Sequence, residues 1–394
     1  MESIGMNSKK QTRREFIKTT SGALVTIGAA ASCAQAVRKE GRVGDSSQPA
    51  SKALKMPKRV LGRTRLSVSF LGFAVFHLRH PAIYRRAVDL GISYFHTVVD
   101  SNTRKLLAPD EYNLDAFAAL RPFRDRIVVS HMTVDRSSKP AMLKDLDGVL
   151  QQSGFGHLDI WYICCPSPEQ LDDFSEAVAA ARKAGKVRYA ALSTHRLAQD
   201  VPQVTAPDSS IDVVMMSYNF LSPPEDREWL AKLHAAGLGI VPMKPLAGRF
   251  YEKTADRPDA LIRWLAADLG VHTIPVGMST VGQVEQNVAA LQQPLSDEDR
   301  KVLKRLTAYT SPRFCRMCGA CDGRCPQGLA ISDLVRVAMY AEGYRDLDVA
   351  RDHFEAIPAA QRRISCQDCQ ACSVHCPNGV AIRDRIRRVQ ELLA

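Results

Sequence analysis

Residues 158–193 read LDIWYICCPSPEQLDDFSEAVAAARKAGKVRYAALS. Leu158–Cys164 and Val187–Ser193 are short runs rich in β-branched and aromatic residues, and both read as strands. Between them Pro168–Ala184 carries apolar residues at helical spacing. A strand, a helix and a second strand in so few residues describe one β–α–β crossover, which makes the two strands parallel. Moving outward, the same alternation recurs. Further candidate strands are Val68–Phe73, Ser93–Val98, Arg126–Met132, Asp212–Ser217, Gly239–Met243 and His272–Val276, with helical segments at Glu225–Ala236 and Asp259–Leu269. Eight strands, each followed by a helix, fit a closed (β/α)₈ barrel better than an open sheet. No Gly-x-Gly-x-x-Gly follows an early strand, so a dinucleotide-binding Rossmann unit is not expected.

The chain has 394 residues, 45% hydrophobic and 24% charged, which excludes wholesale disorder and coiled coil and leaves room beyond one barrel. The net charge of +11 is concentrated at one end. Residues 1–65 hold fourteen Lys and Arg against four Asp and Glu, a balance of +10. The remainder is close to neutral, so nucleic acid is not an expected partner of the folded body. Within the basic arm, Thr12-Arg13-Arg14-Glu15-Phe16-Ile17-Lys18 precedes an uncharged, mildly apolar stretch, Thr19–Val37. That stretch is too studded with Ser, Thr and Gly for a stable transmembrane span. It reads as an export signal ending near Ala34-Gln35-Ala36, with Cys33 a weak lipidation candidate. The paired arginines resemble the twin-arginine signal, which implies the twin-arginine export machinery as a partner and a place in the periplasm or on the outer face of the cytoplasmic membrane.

Eight of the eleven cysteines fall in two runs. Cys315, Cys318, Cys321 and Cys325-Pro326 form the first; Cys366, Cys369, Cys372 and Cys376-Pro377 form the second. Both are C-x₂-C-x₂-C-x₃-C-P, the spacing that ligates [4Fe–4S] clusters. Zinc sites usually use two separated pairs, and a repeated triple run with Cys-Pro suits zinc poorly. Zinc, or a module that has lost one cluster, is the alternative. In two-cluster ferredoxins the fourth cysteine of each run ligates the other cluster. The expected sets are Cys315, Cys318, Cys321 with Cys376, and Cys366, Cys369, Cys372 with Cys325. The intervening helical stretches Ile331–Glu342 and Asp346–Ile357 make the module resemble the α-helical ferredoxins.

Several motifs carry a second resemblance. They are Leu61–Thr64 with Leu71-Gly72, Gly91–Phe95, Asp159–Tyr162, Gly185–Tyr189, Leu192–His195, Tyr218-Asn219, Met243–Gly248 and Gly277–Thr280 up to Asn287. Their order and spacing over roughly residues 57–305 are similar to the aldo-keto reductase family. The whole is then an α/β chain: a (β/α)₈ TIM barrel followed by a small helical two-cluster ferredoxin-like domain. Its expected parts are a signal peptide (1–36), a linker (37–56), the barrel (57–308) and the iron–sulfur domain (309–394). The resemblance implies carbonyl reduction with NADP(H) by an Asp, Tyr, Lys and His tetrad. At those places this sequence holds His96, Ser101, His131 and Cys164. A serine hydroxyl is far less acidic than a phenol, so the usual tetrad chemistry is not expected; Tyr112 lies in the following loop. Cofactor-binding positions implied by the family are Ser193, Lys244, Pro245, Leu246, Gly277, Ser279, Gln283 and Asn287, whereas its amide-holding Asn and Gln appear as Thr194 and Met215. A helix start rich in Gly, Ser and Thr suits a phosphate, although Gly277 would serve barrel closure equally.

His77, His96, His131, Cys164 and His195 all fall at or just past predicted strand ends. They are either a transition-metal set at one barrel mouth or unrelated residues, with Cys164 and Cys165 packed as small hydrophobes. The expected function is that of an exported iron–sulfur oxidoreductase, exchanging electrons with a redox partner protein or a small-molecule substrate. The alternative is a non-catalytic barrel serving as an electron-transfer or docking subunit.

Overall fold

Lys58–Val60 (β1) and Ser67–Ser69 (β2) pair antiparallel around a tight turn at Gly62–Thr64. The chain here is a computed structural model that describes residues 55–75, 80–98, 112–133, 135–247, 257–363, 366, 369 and 372–393. The signal peptide with Cys33, nearly all of the linker, His77, Ser101 and Gly248 lie outside the described residues. Gly62 adopts φ +49°, and a Cβ there would fall 2.3 Å from the Gly239 amide nitrogen, so the turn needs glycine to sit this close to the sheet. Leu61, Leu66 and Val68 from this hairpin join Tyr94, Val128, Ile160, Tyr162 and Val241 in one buried cluster, which fills the barrel interior.

The barrel strands are Leu71–Val75 (β3), Tyr94–Val98 (β4), Val128–Met132 (β5), Leu158–Cys164 (β6), Val187–Thr194 (β7), Ile211–Ser217 (β8), Gly239–Met243 (β9) and Ile274–Val276 (β10). All neighbours pair parallel in the order β10-β3-β4-β5-β6-β7-β8-β9. Alternate residues separate into two cores, as a strand buried on both faces requires. Tyr94, Ile160, Tyr162, Ala191 and Val213 face the interior, while Phe95, Trp161, Ile163, Leu192 and Val214 lie under the helices. The expected first strand, Val68–Phe73, is in fact divided. Ser69 exchanges hydrogen bonds with Ser93, its amide donating to Ser93 Oγ (2.9 Å) and the Ser93 amide to Ser69 Oγ (2.8 Å). This transfers the backbone from the hairpin to the barrel, and β3 starts at Leu71.

The outer helices include Pro81–Asp89 (α1), Tyr112–Leu120 (α2), Lys139–Ser153 (α3), Pro168–Lys183 (α4), Leu197–Val204 (α5), Pro224–Ala235 (α6), Pro258–Ala266 (α7) and Val281–Ala290 (α8). Ser167 starts α4 with a reciprocal capping box to Gln170, which is why the sequence signal there is sharp. Helix α7 stops short of the expected Leu269 because Asp268 takes up local bonds. Its carboxylate accepts from the Gly270 amide and from the Tyr218 hydroxyl.

Barrel closure between β9 and β10 depends on a side chain. The Ile240 amide donates to His272 Nδ1 (3.0 Å), and the His272 amide donates back to the Ile240 carbonyl (3.0 Å). His272 is 7% exposed, and burial, helped by nearby His234 and Arg59, lowers its pKa to about 4. The unfolded imidazole titrates near 6.5, so the unfolded chain takes up the proton first. Stability is full above pH ~6.5 and falls as the pH drops towards 4, by about 3 kcal/mol in total from this group. The urea midpoint should therefore fall between pH 7 and pH 5. His272→Asn, whose carbonyl keeps the acceptor, should show a shallower fall. Equal slopes for the two proteins would remove His272 from the acid response.

Beyond the barrel come Asp297–Thr310 (α9), Ile331–Met339 (α10), Leu347–Ala356 (α11), Ala359–Arg362 (α12) and Ile382–Leu393 (α13), with a π-turn at Tyr340–Tyr344. Leu334, Ala338, Ala350, Phe354, Ile386 and Val389 form a second core, which also takes in Cys315 and Cys366. Phe314, 2% exposed, packs with Leu221, Ala247 and Met339 and so joins this helical region to the barrel loops. No helix among the described residues is long and apolar enough to cross a membrane.

Candidate functional site

The C-terminal strand ends form one mouth, and strand parity decides what points into it. Tyr94 and His96 on β4, Ser130 on β5 and Tyr162 on β6 share the interior face. Ser130 Oγ donates to Tyr94 Oη (3.0 Å) and lies 2.8 Å from His96 Nδ1; Tyr94 Oη is 3.0 Å from Tyr162 Oη. With the serine proton used, its lone pair accepts from His96 Nδ1–H. His96 Nε2 is then a buried lone pair without a hydrogen-bond partner among the described residues. Burial, together with His131, pulls the His96 pKa down to about 3, and burial pushes Tyr94 up to about 12. Tyr162 is raised well above its ordinary value by burial and by Tyr94. The interior network is therefore neutral at pH 7, and no member is poised as an acid or base near that pH.

His131 takes the other face. Its Nδ1 is 2.9 Å from Thr97 Oγ1, and its Nε2 is 3.9 Å from Asp145 on α3. The structure thus brings His96 together with Ser130, and it sets His131 apart from them, towards the helical layer. Parity along β5 would have selected Ser130 as the inward residue. Ser101 lies outside the described residues, and Tyr112 starts α2.

Cys164 ends β6, and Cys165 follows it with φ +42°. The two thiols interact with each other: Cys165 is drawn down by Cys164 and by the His195 amide, and Cys164 is pushed up by Cys165 and by burial. Lys244 closes β9 with φ +54°, and its carbonyl accepts from Asn219 Nδ2 (3.1 Å). Its ammonium points to Met317 Sδ (3.7 Å), between the first two cysteines of the first run. Burial lowers the Lys244 pKa to about 8, against the attraction of Cys315, Cys164 and Cys165. Burial, Lys244 and Arg336 keep the His195 imidazole well below its ordinary value. One side of the mouth thus meets the cysteine-bearing segment directly.

The other expected cofactor positions lie elsewhere on the rim. Ser193 faces inward beside Cys164, and Pro245 and Leu246 follow Lys244 in the turn closed by the Ala247 amide. Gly277 and Ser279 are exposed, and Asn287 is buried. Thr280 caps α8 through the Gln283 amide, and the Gln283 side chain accepts from the Ser279 amide (2.6 Å). Thr194 turns to Asp200, and Met215 lines the interior.

The eight thiols of the two runs sort into two neighbourhoods. The charge of Cys315 feels those of Cys318 and Cys376, and Cys321 feels Cys315 and Cys318. Cys366 feels Cys372, Cys325 and Cys369. Each run therefore meets the fourth cysteine of the other. The Met317 amide donates to Cys315 Sγ (3.3 Å) and Asn378 Nδ2 to Cys318 Sγ (3.5 Å). Met317, Gly319 and Gly323 take positive φ, so the loop curls around the sulfurs. Burial raises the Cys315, Cys321 and Cys366 thiols. Among the described residues no group of three or more His, Cys, Asp or Glu side chains is closed to metal-binding geometry, either at the mouth or in the helical region.

Residues 82–261 match the model of the Aldo/keto reductase family. Among solved structures, the chain is similar to the aldo-keto reductase AKR11C1 from Bacillus halodurans. For its holo form the TM-score is 0.53 at 21% identity, and for its apo form 0.52 at 22%. Both alignments cover 64% of this chain and 96% of the other. At that identity the likeness establishes the barrel fold, and chemistry has to come from the residues.

Proposed function

We propose that this chain is an iron–sulfur oxidoreductase in which a barrel of the aldo/keto reductase type presents its mouth to a two-cluster module. The carrying observation is the crossed neighbourhood of the two cysteine runs, one of which adjoins Lys244 on the mouth. Cys315, Cys318, Cys321 and Cys376 would hold one [4Fe–4S] group, and Cys366, Cys369, Cys372 and Cys325 the other. Such groups supply one-electron transfer. The amide donors of Met317 and Asn378 aimed at Cys315 and Cys318 suit a thiolate-ligated cluster. The chain's own residues shape the mouth. His96, Ser130, Tyr94 and Tyr162 give it a neutral floor, and Lys244 gives it a cation. The exposed Gly277 and Ser279 and the half-buried Gln283 around the start of α8 suit a dinucleotide phosphate. The paired arginines of the leader support export by the twin-arginine route, to the periplasm or the outer membrane face.

A second reading is favoured by the replaced tetrad: the barrel as a non-catalytic docking scaffold for electron transfer. Anaerobic purification separates the readings. Iron and acid-labile sulfide near eight each per chain are expected for two cubes, whereas zinc without sulfide would sink the cluster assignment. NADPH should then bleach the cluster absorbance. Reduction by a low-potential donor alone would favour the scaffold.

A further inference from the structure

We propose that Cys164 and Cys165 form a redox-active vicinal dithiol that reduces a disulfide substrate at the barrel mouth, with Cys165 as the attacking sulfur and Cys164 as the resolving one. The proposal rests on the iron–sulfur reading for the source of its electrons. Its own support is geometric. The pair stands where β6 opens into the mouth, and both thiols are half-buried. The roles are set by the neighbours. Cys165 is the member drawn down, by Cys164, the His195 amide and the Arg196 cation, which favours its thiolate. Cys164 is pushed up by Cys165 and by burial and stays the thiol.

Two small hydrophobes packed for convenience would not need this backbone. Cys165 holds φ +42°, a conformation costly for a residue with a Cβ. The structure maintains it by the Cys165 amide donating to the Ser193 carbonyl (2.8 Å) and by Arg136 donating to the Cys164 carbonyl. Lys244 then connects the pair to the cysteine module, because its ammonium feels Cys164, Cys165 and Cys315 together.

The chemistry balances as follows. Cys165 thiolate attacks one sulfur of the substrate disulfide, forming a mixed disulfide and releasing the first substrate thiolate. Cys164 gives up its proton and attacks Cys165 Sγ, forming the Cys164–Cys165 bond and releasing the second thiolate. The substrate has gained two electrons, and its thiolates take up two protons. Restoring the dithiol takes two electrons and two protons, which two one-electron clusters match in number. Adjacent Cα atoms are ~3.8 Å apart, below the span of about 4.4 Å at which unstrained disulfides begin. Strain makes that bond easier to reduce and the dithiol a weaker reductant, so the substrate disulfide must be in excess or more oxidising than the pair.

The test uses the full chain as isolated, with iron and sulfide assayed in the same sample and glutathione disulfide as the probe. Products are mapped by peptide mass spectrometry. Wild type should form the Cys164–Cys165 disulfide and release two glutathiones per pair. Cys164→Ser should stop at a glutathione adduct on Cys165 and release one, and Cys165→Ser should release none from this site. Phenylarsine oxide, which bridges paired thiols, should bind wild type and neither variant at this position. An iron-loaded chain whose pair stays reduced and does not bind the arsenical overturns the inference while leaving the cluster reading intact. Adducts on Cys164 as readily as on Cys165 overturn the assignment of roles. A chain without iron that still forms the disulfide supports the dithiol and sinks the cluster reading instead.

Discussion

Cys376→Ala should empty the cluster proposed for the first cysteine run, more than fifty residues upstream, and leave that proposed for its own run in place. Cys325→Ala should do the reverse. The expectation follows from the neighbourhoods: Cys315 meets Cys376, and Cys366 meets Cys325. Each variant should bind about half the iron of wild type, because one of two four-iron groups loses a ligand. The double variant should bind almost none. The readout that separates crossed from uncrossed ligation is which cluster survives. Under Cys376→Ala, the surviving thiols Cys315, Cys318 and Cys321 should become open to alkylation, while Cys366, Cys369 and Cys372 remain protected. Protection of the first run and exposure of the second would refute the crossed arrangement. Since ligand loss is also a loss of folding energy, both variants should unfold at lower denaturant in the helical region.

Asp299→Asn should destabilise the chain by about 1–3 kcal/mol, the cost of spoiling a buried hydrogen-bonded group, because Arg257 and Arg263 both keep Asp259 as a second partner. Asp299 is 1% exposed on α9. Its carboxylate accepts two bonds from Arg263 (2.8 and 2.7 Å), one from Arg257 (3.0 Å) and one from the Ser296 amide (2.9 Å). Arg263 chiefly holds this carboxyl well below the usual range. An amide of the same shape removes the charge and turns a donor towards two guanidiniums. Because α9 leads from the barrel into the cysteine module, the loss should appear as a lower urea midpoint and faster proteolysis after Ser296. A change below about 0.5 kcal/mol would mean that the cluster behaves like a solvated surface pair.

What could be read from the residues in order was whatever depends on local periodicity and spacing. Strand and helix alternation disclosed the barrel because each β–α unit must bury an apolar face, and the capping box at Ser167 marked α4 by its own bonds. The repeated cysteine spacing carries the proposed ligand set, which rests on that spacing and on the neighbourhoods of the thiols. Position in a strand was less informative. His96 and His131 both end strands, yet one joins the interior network and the other turns towards Asp145, because side-chain direction alternates with each residue. Ser130 was overlooked beside His131 for the same reason. The divided first strand was hidden because the Ser69–Ser93 exchange links residues twenty-four apart.

The sequence by itself determined the layers of the barrel and which sulfurs belong to which run, since both follow from distances along the chain. Only the tertiary structure decided that Lys244, the Cys164–Cys165 pair and the first cysteine run share one side of the mouth, and that His272 closes the barrel. These contacts join segments far apart in sequence. Their energies depend on burial and on neighbouring charge, which a residue acquires only when the chain has folded around it.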